Sequence, residues 1–255
     1  TIIGTFLTRS GIINSVHSFT QSEIGPAFLI YLALILIVGF AFLFKRIQML
    51  ESEYKIESVL CRENVFLAQN ILLVGIAFTV LLGTTFPLLA EAVRGTKLSI
   101  QAPFFNTITA PMGYALLILM GIGMLISWRR SSLDNLRRNF QNPFIIASIG
   151  TIILVWLLFD KSLQWGVYII FWATIFVTST IFIEIVKASQ IKARQTKSNI
   201  LIGFFYVILR NRRRYGGLMI HFGVVLMFLG FAGTFFSLEK DLTLEAGESK
   251  IIGNY

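Results

Sequence analysis

Arg212-Arg213-Arg214-Tyr215-Gly216-Gly217-Leu218-Met219-Ile220-His221-Phe222-Gly223 opens a stretch that stays apolar as far as Phe236. The 19 residues from Leu218 to Phe236 carry no formal charge, and His221 is the one strongly polar side chain among them. At about 1.5 Å of rise per residue the stretch makes a helix of roughly 28 Å. That is enough to cross a hydrocarbon layer about 30 Å thick. Three arginines at its start hold that end on the cytoplasmic or matrix side. His221 then lies about 6 Å inside the membrane from that surface. An imidazole at that depth needs a partner, and ionisable groups inside a bilayer are functional candidates.

The rest of the chain has the same character. Of its 255 residues 55% are hydrophobic and only 14% charged, against about 25% charged in an ordinary soluble domain. Five more apolar runs precede the first, at about 27–44, 66–89, 108–128, 143–159 and 165–186. With 218–236 they make six spans. The sequence thus predicts an all-α, polytopic integral membrane protein. Residues 1–7 look like the tail of a preceding transmembrane helix. Residues 241–245 alternate polar and apolar side chains at strand period, which suggests the start of an extracytoplasmic β-containing segment. The expected organisation is a transmembrane domain, 1–237, followed by the start of that segment, 238–255, within a longer protein. Pro143 is expected in the first turn of its span. Residues 199–209 are apolar but too short to cross, so they are expected to lie on the surface.

Six spans put alternate loops on opposite sides of the membrane. Sixteen of the 22 Lys and Arg fall in the loops 45–65, 129–142 and 187–217. This asymmetry matches strict alternation and explains the net charge of +9 as a topology signal rather than a nucleic-acid footprint. The single Cys61 excludes a disulfide framework, a CxxC pair and a zinc set. The two histidines lie far apart in this scheme. His17 is in a loop beyond the outer surface and His221 is near the inner one, with about 20–25 Å of hydrocarbon between them. They cannot share a metal, so each, if a ligand, takes its partner from elsewhere. The plainer readings are a solvated surface residue for His17 and, for His221, a ring hydrogen bond to a neighbouring helix. Gly216, Gly223 and Gly230 recur every seven residues and mark a face open to close helix approach.

Several stretches resemble a known family. Gly4-Thr5-Phe6-Leu7-Thr8-Arg9-Ser10-Gly11 followed by Ser15-Val16-His17 resembles the segment after the tryptophan-rich signature of CcmF-type cytochrome c haem lyases. Arg213-Arg214-Tyr215-Gly216-Gly217 with His221-Phe222-Gly223-Val224 resembles that family's last histidine-bearing helix. Pro87-Leu88-Leu89, Gly95, Lys97, Ser99, Pro103-Phe104-Phe105-Asn106 and Met120-Gly121-Ile122-Gly123 follow in matching order.

The resemblance implies an enzyme of cytochrome c-type biogenesis. Such a lyase positions haem for thioether attachment to apocytochrome c on the outer face of the bacterial inner membrane, or in the mitochondrial equivalent. It implies His17 as an axial ligand of the haem to be transferred and His221 as an axial ligand of a resident, membrane-embedded haem b. Each iron would take its second histidine from an upstream half. The implied partners are apocytochrome c, a haem-delivering chaperone and other maturation proteins, with membrane lipid around the chain and quinol as electron source. No catalytic side chain is required, since cofactor and substrate supply the reacting atoms. Two other readings compete: a transporter or haem exporter with His221 lining a path, and a non-catalytic assembly subunit.

Overall fold

The computed structural model describes residues 2–9, 24–51, 58–95, 98, 100–128, 131–158, 165–236 and 249. Eight α-helices follow one another: α1 Ile2–Arg9, α2 Ile24–Lys45, α3 Arg62–Arg94, α4 Ala102–Leu125, α5 Leu133–Leu157, α6 Trp165–Thr196, α7 Ile200–Arg210 and α8 Arg212–Gly233. Short 3₁₀ turns lie at Ile47–Leu50 and Thr234–Phe236. Among the described residues there is no strand. Six helices are long and apolar enough to cross a membrane: α2 to α6, and α8 with its 3₁₀ extension. This is the expected all-α polytopic architecture. The proposed β-containing tail and the 237/238 boundary lie outside the described residues.

The chain divides into two compact units, residues 1–57 with 75–108, and residues 58–74 with 109–255. In the first, α1 packs on α2, and the ring of Phe105 lies where a Cβ on Gly83 would sit, 2.5 Å away. Gly95, at φ +68°, ends α3, its N–H bonding Glu91 O at 2.9 Å. A left-handed residue of this kind is a common helix stop.

The second unit is built around α6. Half of its most apolar window is buried inside the chain, against none of α2's. Helix α4 runs parallel to α6: Tyr114 meets Gly166 and Trp165 at one end, and Gly121 meets Phe176 at the other. Helix α5 packs an aromatic seam on it. Trp172 and Phe176 stack at 5.2 Å, Phe144 and Phe140 close on them, and Trp172 Nε1 donates to Ser148 Oγ at 3.3 Å. Helix α8 runs antiparallel, from the Arg214–Glu184 pair to the Phe236–Phe171 stack. It offers one buried stripe, Tyr215, Leu218, Val225 and Ala232. The hydroxyls of Thr174, Ser179, Thr180 and Ser189 donate to carbonyls three or four residues back. An apolar helix can therefore carry them without an unmet polar group.

Two helices depart from the sequence expectation. Helix α5 begins ten residues before Pro143, because Ser132 caps it, its side chain accepting from Asn135 N at 3.3 Å. Pro143 is consequently interior and buried. The stretch 187–217 is nearly continuous helix rather than loop. Its Lys, Ala, Gln and Arg are good helix formers and carry α6 past the apolar run. At the end of α6 Lys197 takes a positive φ of 49° and Ser198 N bonds Ala193 O at 3.0 Å, turning the chain into α7. The basic loop before α3 is also more than a topology signal. Arg62 Nε and Nη2 donate to Ile126 O and Met124 O at 3.1 and 3.2 Å, closing the C-terminus of α4. The neighbouring Cys61 is fully buried.

Candidate functional site

His221 is set three turns into α8, half-buried at the edge of the stripe that faces α6. Its Nδ1 lies 2.6 Å from the carbonyl oxygen of Gly217, one turn back on the same helix. A carbonyl can only accept, so Nδ1 carries the proton. In the neutral ring the lone pair is then on Nε2, and among the described residues nothing hydrogen-bonds to that nitrogen. Metal-bound histidines commonly donate their second ring N–H to a backbone carbonyl in this way, which fixes both the tautomer and the ring plane. The ring bonds its own helix rather than a neighbouring one.

The backbone one turn before the ring is uncovered. A Cβ on Gly217 would meet nothing within 4 Å, and the same holds at Gly216, Gly223 and Gly230. The glycine stripe that the sequence marked as a helix-approach face has none of the described residues against it. Close approach inside the chain occurs at other glycines. A Cβ on Gly121 would lie 2.7 Å from Phe176, and one on Gly203 would collide with the Ser189 carbonyl oxygen.

Glu184, the one carboxylate of α6, has a different situation. Glu184 Oε1 accepts from Arg214 Nη2 at 2.6 Å and Nε at 2.8 Å, tying α6 to α8. One of the three arginines that open α8 is thus a structural tie as well as a topology signal. This pairing joins positions 30 residues apart, beyond the reach of any local pattern.

Among the described residues no three His, Cys, Asp or Glu side chains gather into a metal cage. A metal held by His221 would draw its other ligands from a planar cofactor or from other parts of the protein. His17 lies outside the described residues.

These features define a class: a polytopic α-helical membrane protein with one span-borne histidine whose outer nitrogen is available. No protein-family profile matches the sequence. The comparison with individual proteins is specific. A cytochrome c-type biogenesis protein CcmF of Escherichia coli is 30% identical over 263 residues, covering 100% of this chain and 37% of that protein. The CcmF of Pseudomonas fluorescens is 28% identical over 257 residues, again covering the whole chain and 37% of the relative. A solved structure titled Cytochrome c Heme Lyase CcmF superimposes with a TM-score of 0.67 and 29% identity, over 99% of this chain and 35% of that one. The chain is similar over its whole length to CcmF-type cytochrome c biogenesis proteins and spans little more than a third of their length. With six apolar helices and bacterial relatives, it is a multi-pass protein of the bacterial inner membrane.

Proposed function

We propose that the chain is part of a haem lyase that positions haem for attachment to apocytochrome c, and that His221 is an axial ligand of a haem b held within the membrane. The observation that carries this is the 2.6 Å bond from His221 Nδ1 to Gly217 O. It sets the tautomer and aims Nε2 away from its own helix, as a neutral iron-ligating imidazole requires. The bare backbone at Gly217 places no side chain one turn before the ring. When bound, such a haem supplies one-electron redox chemistry, its potential set by the axial ligands and the surrounding polarity. The chain's own contribution is to orient the imidazole on an apolar helix.

The same reading gives His17 the outward haem that is to be transferred, and takes the second ligand of each iron from the remainder of the protein. It also places apocytochrome c, a haem-delivering chaperone and other maturation proteins at the outer face, with quinol as electron source. The names of the relatives, cytochrome c-type biogenesis protein and cytochrome c haem lyase, support the lyase reading. The transporter reading has less support, since the relatives are named as cytochrome c biogenesis proteins.

The test is a visible spectrum of the purified full-length protein. A b-type spectrum that disappears in His221→Ala is the expected result; an unchanged spectrum in that variant overturns the ligand assignment. For His17→Ala the expected result is an intact membrane-haem spectrum with cytochrome c maturation lost. Normal maturation would remove His17 from the reading.

A further inference from the structure

Helix α7 is apolar on two opposite faces. Gly203 and Val207 are buried, and Gly203 lies so close to Ser189 and Ala193 that a side chain there would strike their backbone. On the opposite side Leu201, Ile202, Phe205 and Leu209 form one continuous surface, each between 59% and 63% exposed. Positions 201, 202, 205 and 209 fall on one face at helical spacing. Eleven residues rise only about 16 Å, so α7 cannot itself cross a bilayer.

Two observations say what covers that face. The first is charge. From residue 185 to residue 236 the sequence holds eight Lys and Arg and no Asp or Glu. Of these, Arg214 alone has a carboxylate partner among the described residues, Glu184. The cations also gather beside the apolar surface. Lys192 Nζ stands 4.3 Å from the Tyr206 ring centroid, and Arg210 Nη1 donates to Tyr206 Oη at 2.6 Å. The second is position. Helix α6, at 32 residues, is about 48 Å long, well beyond a hydrocarbon core of about 30 Å. Its last turns, where α7 packs, therefore emerge at headgroup level. The helix that follows, α8, re-enters the membrane directly.

We propose that α7 is an interfacial anchor. Its Leu201, Ile202, Phe205 and Leu209 face lies in the headgroup-to-acyl boundary of the leaflet at the basic end of α6, and the surrounding cations hold anionic lipid headgroups. A segment with large apolar side chains on its free side and basic residues at its flank has the composition of such anchors. A phosphate is the complement of a cation cluster with no carboxylate of its own. The inference is independent of the haem reading, since it uses no residue of the His221 site.

The test uses the full-length protein in lipid nanodiscs, with a polarity-sensitive fluorophore on Leu209→Cys or Phe205→Cys and other reactive thiols replaced. Nitroxide-labelled lipid should quench the probe strongly while aqueous iodide does not, and quenching should rise when phosphatidylglycerol replaces phosphatidylcholine. Quenching by iodide would mean a hairpin standing free in water and would overturn the proposal. A probe reached by neither quencher would mean that protein covers the face, with the same consequence. The charge arm uses Lys192→Gln with Arg210→Gln. Each cation near an anionic surface accounts for about a fivefold preference, so the double change should cut the preference for phosphatidylglycerol by roughly 25-fold. An unchanged preference would overturn the headgroup assignment even if the lipid contact survived.

Discussion

Helices α6 and α8 are both long apolar spans, and they do opposite things. Helix α6 buries itself on nearly every side: thirteen of its residues are buried and its buried hydroxyls are spent on its own carbonyls. Helix α8 buries one stripe of four, and its glycines at 216, 217, 223, 230 and 233 face no other part of the described chain. A span that organises a bundle needs complementary neighbours on all faces, because lipid gives helices no hydrophobic reason to associate. A span that presents a ligand needs the reverse, one face held and the rest available. The histidine lies on the less buried of these two helices.

Breaking α6 should therefore cost far more than altering the outer face of α8. The largest effect is expected from Phe176→Ala, which removes the ring that fills Gly121 and stacks on Trp172. Cavities of this kind cost about 3–5 kcal/mol in soluble cores. The lower end applies here, since lipid already solvates apolar groups and only lost packing remains. Thermal unfolding in mild detergent measures it, and a midpoint equal to the parent would refute the central role of α6. Gly203→Val comes next. Its side chain would have to displace the backbone of α6 at Ser189, at an overpacking cost of about 1–3 kcal/mol. Proteolysis between α6 and α7 should accelerate accordingly; protection equal to the parent would show that the two helices are not pressed together.

The same contrast explains what could be read from the sequence. Apolar runs and Lys/Arg bias give the spans because lipid imposes a length and a composition, and both are visible residue by residue. His221 stands out for the same reason: it is a polar interruption in a run that has no other. The extents of the helices were less legible. Ser132 starts α5 within a basic stretch, and Lys197 closes α6 where a glycine would be the usual signal. Nor does composition rank α6 above α8, since centrality depends on which faces meet and not on how apolar they are. The stripe at Gly216, Gly223 and Gly230 resembles a packing motif, yet Gly121, Gly166 and Gly203 are the glycines on which this chain closes.

A smaller effect is expected where the two helices are tied by charge. Glu184→Gln leaves Arg214 without its carboxylate, but that arginine side chain is 68% exposed and solvent screens the pair. Exposed ion pairs contribute about 0.2–1 kcal/mol, so the unfolding midpoint should fall by a few degrees at most. A His221-dependent spectrum should be unaffected. A large loss of haem in this variant would mean that the tie positions His221, and that the ligand helix is less independent of α6 than its open faces suggest.

The smallest effect on folding is the sharpest test of the comparison. Gly223→Ala adds a methyl group that meets nothing within 4 Å. Alanine is also the better helix former, by about 1 kcal/mol in a soluble helix. Taken alone, the chain predicts equal or slightly raised stability. If the outer face of α8 instead receives another helix of the full-length protein, close approach needs the missing Cβ and the same change must lower the midpoint. The sign of one measurement in the full-length protein thus separates a lipid-facing stripe from a packed one. The corresponding change at Gly121, where Phe176 already occupies the space, should be destabilising in either case.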